Sequence, residues 1–556
     1  MRKLLTSAIG ILMAGTLFAG GLVTNTNQSA AWVRLPSRNA STGIDAVYYN
    51  PAGLTKLEDG FHFSLNNQTI FQTKTVTNNY KGPGGAFGLN NAKYIGDVKA
   101  PVYPGVYAVY KKNRLAFSLG FNPVGGGGGA EYKTGLPSFE MSASDLVPSL
   151  ATQGASAYRL DAYLKGSSTF FGLQGGISYK INDMISVGVG LRYVMAKNTY
   201  LGHLSNIELN MGGTWTRADA VMNGIVAQLT SIKGIPASIA PIISGGGGSL
   251  TLSQLVSGSM LTQAQADAIA AGLAYIGVPA AAIPAMSAST ISGTITGATS
   301  SLNTKIATYT ATATLLGDQS VDATQNGTGI SPIFSVNFSP SDKINIAVKY
   351  EMRTKMEVTN KTKSDFLVGF QLDGTPITMF ANGEKTPSDM PALLTVGADL
   401  KVAEPVTVSL GFNYFWDKNA DYGHKVDLDN ISATPSTPIA NKYIIDQNGY
   451  SLMGGAEVKV AEKILVSAGY IWSNKGVNRL YQSDLTYGNA TNTIGFGGAY
   501  DVMKNLRVNV GYNMTIYQKD VSYVDHVFSA TNTLYSPQEL HEKKTWMIGV
   551  GVDYSF

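Results

Sequence analysis

The sequence predicts an all-β protein, a 14-stranded antiparallel transmembrane β-barrel with an N-terminal plug in its lumen. Three observations lead to this fold class. The composition is low in charge without long apolar runs, the apolar residues recur with a period of two, and short and long connections alternate between the predicted strands. A barrel whose strands face lipid on one side and a polar lumen on the other combines all three features.

The composition excludes several classes of protein. Only 14% of the 556 residues are charged, against about 25% in soluble domains. The body of the chain has no run of about 18 uncharged apolar residues, so helical membrane spans do not explain the low charge. The chain has no Cys, which excludes disulfides and thiolate metal sites. Its net charge of +4 gives no reason to expect nucleic acid as a partner.

Residues 1–21 predict a secretory signal peptide. The chain begins with MRKLL and continues with an apolar stretch, and Ala19 and Gly21 supply the small residues that precede a cleavage site. The mature protein is therefore expected to leave the cytoplasm.

From Phe61 onward the sequence alternates with the period of a β-strand. The stretch NLRVNVGYNMTIY, for example, places Leu506 and Val508 on one face and Arg507 and Asn509 on the other. Alternation of this length indicates strands, not helices. The apolar faces tend to end in Tyr or Trp, as the aromatic girdles of a membrane barrel require.

The connections between these strands give their number. Six short polar turns alternate with seven longer segments, the longest near residues 201–328. A barrel with both termini on the periplasmic side has one more long outer loop than short inner turns, so the two counts predict fourteen strands. A soluble β-sandwich or propeller is the alternative, but it does not explain this alternation. The C-terminal Phe556 ends an alternating aromatic series, which favours recognition by the barrel-assembly machinery of the bacterial outer membrane.

Residues 22–60 precede the first strand and lack its alternation. An irregular segment cannot lie in the bilayer, because its backbone groups would be unsatisfied there. Its apolar content, including Trp32, Tyr48 and Leu54, argues against a free segment in the periplasm. We expect it to form a plug inside a barrel that spans residues 61–556.

The stretch SRNASTGIDAVYYNPAGLTKL, residues 37–57, resembles the N-terminal hatch signature of the FadL-type outer-membrane transporters. These proteins carry long-chain fatty acids and, in relatives, aromatic hydrocarbons. Asn50, Pro51 and Ala52, followed by Gly53, match the family's hatch motif. The resemblance implies uptake of hydrophobic molecules in the outer membrane.

The partners expected for such a transporter are a hydrophobic substrate, outer-membrane lipid and lipopolysaccharide, and the barrel-assembly machinery. We expect a monomer with no cofactor and no metal.

The third predicted strand, LAFSLGFNPVGGGGGAEY, contains Asn122-Pro123 and the glycines of residues 125–129. Proline removes a hydrogen-bond donor and is confined to strand edges and bulges, so a gap beside this strand is expected. The FadL family has an inward kink in its third strand that opens a lateral window, and the resemblance implies such a kink at Asn122, Pro123, Gly125 and Gly126. The alternative is that the strand ends at Phe121 and a flexible loop begins.

The resemblance also implies a transport route. Outer loops capture the substrate, an apolar pocket in the barrel binds it, and a shift of the hatch lets it leave sideways. Arg192, Lys349 and Arg353 fall on the lumen face and are candidate partners of a substrate carboxylate; the alternative is that they form internal salt bridges.

The long segment at residues 201–328 exceeds what the family would lead us to expect. The stretch LTQAQADAIAAGLAYIGVP predicts a helix capped by Thr262 and ended near Gly277, whereas SIKGIPASIAPIISGG is apolar and is expected to be rich in turns. The segment is interpreted as a lid that gathers substrate or as a surface insertion.

Three other functions are alternatives for this sequence: a general porin for polar solutes, a surface adhesin that uses the long loop, and an enzyme. The histidines are scattered, at His62, His203, His424, His526 and His541. No HExxH spacing and no GxSxG motif occurs in the sequence, so no enzymatic activity is predicted.

Overall fold

The computed structural model describes residues 22–556, except residues 86, 371–373, 424, 427–436, 439–442, 480, 529 and 532. The predicted signal peptide, residues 1–21, and His424 lie outside the described residues.

Fourteen antiparallel strands form a closed barrel, as the sequence predicts. Each strand pairs with the next along the chain, and β1 pairs with β14 from His62↔Ser555 to Asn78↔Glu539, which closes the sheet. The strands are β1 Gly60–Asn78, β2 Tyr94–Lys112, β3 Leu115–Tyr132, β4 Ala155–Lys180, β5 Ile185–Met211, β6 Gln319–Ser341, β7 Ile344–Glu351, β8 Leu393–Ala403, β9 Val406–Phe415, β10 Tyr450–Ala461, β11 Ile464–Asn474, β12 Thr491–Met503, β13 Leu506–Tyr517 and β14 Gln538–Ser555.

Helices occur in the N-terminal residues and in the outer connections. The α-helices are α1 Ala30–Arg34, α2 Ala46–Tyr49, α3 Pro137–Ser144, α4 Leu146–Ser149, α5 Ala218–Ser244, α6 Leu252–Ser257, α7 Gln263–Tyr275 and α8 Ala288–Leu315. The 3₁₀ helices are Pro51–Lys56, Pro83–Gly85, Ala151–Gln153, Gly247–Ser249, Ile283–Ala285 and Asp417–Asn419. Among the described residues, four short strands extend the barrel sheet beyond the fourteen: Thr214–Arg217, Glu357–Ser364, Lys385–Pro387 and Asp520–Tyr523. Separate two-stranded pairs are formed by Leu367–Phe370 with Pro376–Thr378, Lys425–Val426 with Thr437–Pro438, and His526–Phe528 with Thr533–Tyr535.

The two faces of the barrel differ in polarity, as the period of two requires. Large apolar side chains that point outward are exposed, and they include Leu65, Leu119, Val189, Phe496 and Ile548. The inward positions carry polar and small residues, such as Ser64, Asn66 and Gln174, together with a group of apolar residues. The outer surface is therefore an apolar belt of the kind that faces lipid.

Helices α5 to α8 form a cap at the outer end of β4, β5 and β6, the longest strands, with 26, 27 and 23 residues. Helix α7 confirms the predicted helix, with Thr262 as its N-cap. The prediction of turns in SIKGIPASIAPIISGG was wrong, because α5 continues through Pro236 and Pro241.

The apolar face of α5 explains why it is not broken. Its buried residues recur at helical spacing and face α7 and α8 within one apolar cluster: Met222, Ile225, Leu229, Ile232, Ile235 and Ile239. At about 2 kcal/mol each, the six buried side chains together contribute about 12 kcal/mol, which outweighs a cost of about 6 kcal/mol for the two internal prolines. Among the described helices, α5 alone is long and apolar enough to span a membrane by length and composition, but here it packs within the cap.

Candidate functional site

The N-terminal segment, residues 22–59, lies inside the barrel. Helix α1 packs against β1, β11, β12, β13 and β14, whereas the Pro51–Lys56 helix packs on the opposite wall, against β2 to β7. Val33 and Arg34 approach the wall closely, because a Cβ on Gly511 would lie 2.6 Å from the Arg34 nitrogen. Glycine at this position therefore lets the segment contact the strand backbone directly.

The motif Asn50-Pro51-Ala52-Gly53 forms the end of the N-terminal segment that faces β4, β5 and β6. Asn50 caps the following 3₁₀ helix, and its side-chain amide donates to Asn337 Oδ1 at 2.7 Å. Pro51 occupies the first helical position, where no N–H is needed. Ala52 is fully buried, and a Cβ on Gly53 would lie 2.7 Å from the Ser41 carbonyl oxygen. The local structure of this turn therefore explains why each of the four residues occurs at its position.

Serines on three neighbouring strands hold this turn. The hydroxyl of Ser178 donates to the Pro51 carbonyl at 2.6 Å, and that of Ser186 donates to the Ala52 carbonyl at 2.8 Å. The Ala52 N–H donates to Ser335 Oγ at 2.9 Å. This turn is therefore attached to the wall by three short polar side chains.

A polar vestibule lies below the N-terminal segment, at the end of the barrel with the short turns. It has a volume of about 520 Å³ and is lined by charged residues that include Arg38, Asp399 and Arg507. Arg34 of the segment forms an ion pair with Glu457 of β10 at 2.5 Å. This end of the lumen is a poor environment for an apolar molecule.

Arg192 and Lys349, two predicted partners of a substrate carboxylate, both contact Glu351. Arg192 Nη1 lies 2.6 Å from Glu351 Oε2, and Lys349 Nζ lies 2.5 Å from Glu351 Oε1. Both cations lie over the ring of Tyr48, and Lys349 also donates to the Tyr48 carbonyl at 2.7 Å. In this arrangement the two side chains support α2, and a substrate carboxylate would compete with Glu351.

Arg353, the third predicted partner, lies apart from this pair. Its guanidinium donates to the Asn419 carbonyl, and its Nε lies 3.7 Å from Asp389 Oδ2. Arg353 therefore links the chain segment that follows β7 to the segment that follows β9, near the outer end of the barrel.

Pairing between β2 and β3 is interrupted in the middle of both strands. The pairs stop after Val106↔Phe121 and resume at Asp97. All of residues 98–105 and 122–130 are described, and no pair joins the two stretches. These two stretches border a lateral gap in the barrel wall.

The predicted kink residues lie along this gap. From Pro123 to Gly128 β3 advances five residues, whereas β4 advances only three, from Phe171 to Ser168, so β3 carries two extra residues that bend it away from the ladder. Gly126 has a φ of +97°, and a Cβ on it would lie 2.7 Å from the Ser168 carbonyl oxygen. Glycine is required here both by conformation and by space.

Proline occurs on both borders of the gap, and the sequence reasoning missed the second border. Pro101 and Pro104 lie on the β2 side, opposite Pro123 on β3. None of the three can donate a hydrogen bond to a neighbouring strand. A search for prolines in adjacent predicted strands could have revealed the pattern.

Residues 23–28 of the N-terminal segment close the lateral gap from the lumen. The Asn25 N–H donates to the Val124 carbonyl at 2.8 Å, and the Gly126 N–H donates to the Val23 carbonyl at 2.9 Å. Gln28 Nε2 donates to the Pro123 carbonyl at 2.9 Å. The N-terminal segment therefore replaces β2 as the partner of the kinked part of β3.

Above the N-terminal segment the lumen wall is apolar and rich in methionine. The buried inward residues of this region form one cluster with Trp32, Tyr48 and Tyr49: Ile70, Val98, Val124, Phe170, Val194, Met356, Met390, Met453, Ile471 and Met547. Methionine side chains are flexible and polarizable, so they adapt to apolar ligands of different shapes. This methionine cluster borders the lateral gap through Val98 and Val124.

Two buried lysines lie just above the methionine cluster. Lys74 of β1 and Lys543 of β14 are directly opposite each other, and both face the lumen. Lys543 Nζ lies 4.7 Å from the ring centroid of Tyr487, and Lys475 is close enough to repel it. Like charges in directly opposed positions are destabilising, so this pair indicates a function. The sequence places both lysines on the lumen face, but their register could not be read from it.

The leading end of the N-terminal segment reaches the outer loops. Leu22 is fully buried among Tyr422, Ile444, Ile445 and other loop residues. Asp417 in the same region is buried and accepts a hydrogen bond from the Tyr422 hydroxyl at 2.6 Å. Burial raises the pKa of Asp417 to about 6, although its hydrogen bonds act in the opposite direction.

Among the described residues, no group of three or more His, Asp or Glu side chains could hold a metal ion.

No protein-family model and no curated protein matches this chain. Its fold is similar to that of a FadL homologue from Pseudomonas aeruginosa, with a TM-score of 0.55, 13% identity, and coverage of 98% of this chain and 100% of that chain. The Ralstonia pickettii toluene transporter TbuX has a TM-score of 0.45 at 14% identity and covers 92% of this chain and 94% of its own. At these identities the likeness shows the fold alone, and of these two structures only the Pseudomonas aeruginosa FadL homologue has a TM-score high enough to support a FadL-like barrel fold.

Proposed function

We propose that this chain is a FadL-type transporter of the bacterial outer membrane that takes up hydrophobic small molecules, such as long-chain fatty acids or aromatic hydrocarbons. The FadL-type fold and the apolar outer belt support the location and the class of function. The observation that carries the proposal is the lateral gap, which residues 23–28 close from the lumen.

In the proposed route the cap gathers the substrate and passes it to the methionine cluster. Each buried CH₂ group stabilises the bound state by about 0.8 kcal/mol, so a long chain binds there without specific polar contacts. Movement of residues 23–28 away from β3 then opens the lateral gap, and the substrate enters the membrane. The downhill gradient supplies the driving force.

The polar vestibule favours this sideways route over a passage along the barrel axis. A substrate that continued downward would leave the methionine cluster and meet Arg34, Arg38 and Glu457. An apolar molecule loses its burial energy in such a place. The lateral gap instead connects one apolar environment with another.

Lys74 and Lys543 favour substrates with an acidic head group. They lie one rung above the lateral gap, because Lys74 pairs with Gly96, the residue that precedes Asp97 on β2. A carboxylate held there would separate the like charges, and the chain below it would reach Val98 and the gap. This arrangement supports fatty acids over neutral hydrocarbons as the cargo.

A two-residue deletion tests the route. Removal of Gly126 and Gly127 leaves Pro123, Val124, Gly125 and Gly128 opposite four consecutive residues of β4, so β3 becomes a regular strand. We expect uptake of a labelled long-chain fatty acid by whole cells to fall to background while the barrel still folds and resists heat in detergent. Deletion of Gly84 and Gly85, in the connection between β1 and β2 and outside the cap and the gap, is the matched control and should leave uptake unchanged. Normal uptake with the straightened strand would refute the lateral route.

A further inference from the structure

A groove runs along the outer surface of β14, β1 and β2, on the lipid side of the wall. Its volume is about 590 Å³, and its lining includes Phe71, Ile95 and Trp546 together with several charged residues. The proposed route reaches the lipid through the lateral gap beside this groove and does not run along the groove itself. The groove therefore needs an explanation of its own.

The aromatic residues of β1 and β14 indicate at which height in the membrane the groove lies. Phe61 stacks on Phe556 near the end with the short turns, with ring centroids 5.6 Å apart. Phe71 stacks on Trp546 at 4.0 Å, ten residues further along β1. Ten residues of a strand tilted by about 40° span about 25 Å, the height of the lipid-facing band of a membrane barrel. The groove thus begins at the outer aromatic girdle, at the level of the outer-leaflet head groups.

The charges of the groove are mainly basic. Lys93, Lys99 and Lys544 line it and are exposed. The two carboxylates in the lining already have partners. Glu542 forms an ion pair with Lys519 at 2.8 Å, and Asp97 accepts a hydrogen bond from the Thr73 hydroxyl at 3.2 Å. The three lysines therefore give the groove a net positive charge, next to the aromatic rings of Phe71 and Trp546.

We propose that this groove binds the phosphorylated head group of an outer-leaflet glycolipid, the lipid A part of lipopolysaccharide. Lysines at the membrane boundary attract lipid phosphates, and Phe71 and Trp546 contact the beginning of the acyl chains. Lys99 pairs with Phe71 of β1 but lies in the stretch of β2 that is not paired with β3, so the bound lipid lies beside the lateral gap. The proposal rests on the outer-membrane location proposed above.

Native mass spectrometry of the purified, delipidated protein tests this site. The probes are bis-phosphorylated lipid A, monophosphorylated lipid A, phosphatidylethanolamine and inorganic phosphate. We expect the wild-type protein to retain one molecule of bis-phosphorylated lipid A, with weaker retention of the monophosphorylated form and none of phosphatidylethanolamine. The double variant Lys99→Gln/Lys544→Gln should retain about tenfold less.

Lys112→Gln is the matched control, because Lys112 is also an exposed lysine of β2 but lies at the opposite rim. It should bind lipid A as the wild-type protein does. Equal retention by the double variant, equal loss in Lys112→Gln, or complete displacement by inorganic phosphate would each overturn the proposal. The measurement is independent of uptake: loss of the lipid site with normal uptake contradicts this inference alone, whereas absent uptake with intact lipid binding contradicts the proposed function alone.

Discussion

At the scale of single residues, Lys74 and Lys543 above the methionine cluster are the residues from which we expect a preference for an acidic substrate. Replacement of Lys74 and Lys543 by Met keeps an unbranched side chain and removes both charges. A hydrogen bond to a charged group contributes about 1.5–3 kcal/mol, so we expect the affinity for a long-chain fatty acid to fall by at least about tenfold. Binding of a neutral aromatic hydrocarbon should not change.

Fluorescence titration of the purified variant with both ligands measures this difference. Each single variant should also melt at a higher temperature than the wild-type protein, because it removes a like-charge pair in opposed positions. Equal weakening of both ligands would mean that the lysines act only on the shape of the lumen. Lys112→Met provides a control for the general loss of a lysine.

Asp417 gives the loops around Leu22 a pH dependence. Its pKa of about 6 lies above the ordinary 3.8, so the folded loops hold a proton that the unfolded loops release between these values. The stability of the loop packing is therefore greatest below about pH 4 and falls by about 3 kcal/mol as the pH rises through 6.

Hydrogen exchange of residues 416–423 and 443–449 should report this change, with greater protection at about pH 4 than at about pH 7 after correction for the intrinsic rates. In Asp417→Asn the protection should not depend on pH. Protection that increases with pH in the wild-type protein would contradict the assignment.

At the scale of elements, the N-terminal segment is held by close approaches that tolerate little change. A Cβ on Gly53 would meet the Ser41 carbonyl at 2.7 Å, whereas one on Gly43 would lie no closer than 3.4 Å to its neighbours. We expect Gly53→Ala to displace the turn and to accelerate hydrogen exchange over residues 40–57, with the melting temperature of the barrel unchanged. Gly43→Ala should behave as the wild-type protein. An unchanged exchange rate in Gly53→Ala would show that the turn has room to adjust.

The elements that the sequence predicts well are those whose pattern is local. The period of two predicts the strands and their faces, and Thr262 predicts the start of α7, because both depend on neighbouring residues. Helix α5 could not be predicted from the sequence, since Pro236 and Pro241 normally break a helix. The helix continues through both prolines because its apolar face packs within the cap, mainly against α8. The opposition of Lys74 and Lys543 and the second border of the gap depend on cross-strand register, which a single sequence does not contain.

At the scale of the whole molecule, the barrel separates three environments along its lumen. The cap and the outer loops enclose an apolar core, the methionine cluster follows with the two lysines above it, and a charged vestibule fills the other end. The N-terminal segment passes through all of them, from Leu22 among the loops to the turn at Asn50. The same segment therefore contacts both the outer loops and the lateral gap, and in the proposed route a ligand that displaces Leu22 releases residues 23–28 from β3.

Site-specific photo-crosslinking distinguishes a substrate route through the barrel wall from a route along the barrel axis. A photoreactive phenylalanine analogue replaces Tyr103, an inward residue at the lateral gap, or Thr407, which lines the vestibule. Irradiation of cells during uptake of a labelled fatty acid should attach the label at residue 103, in competition with unlabelled fatty acid, and not at residue 407. Label at residue 407 with none at residue 103 would contradict the account.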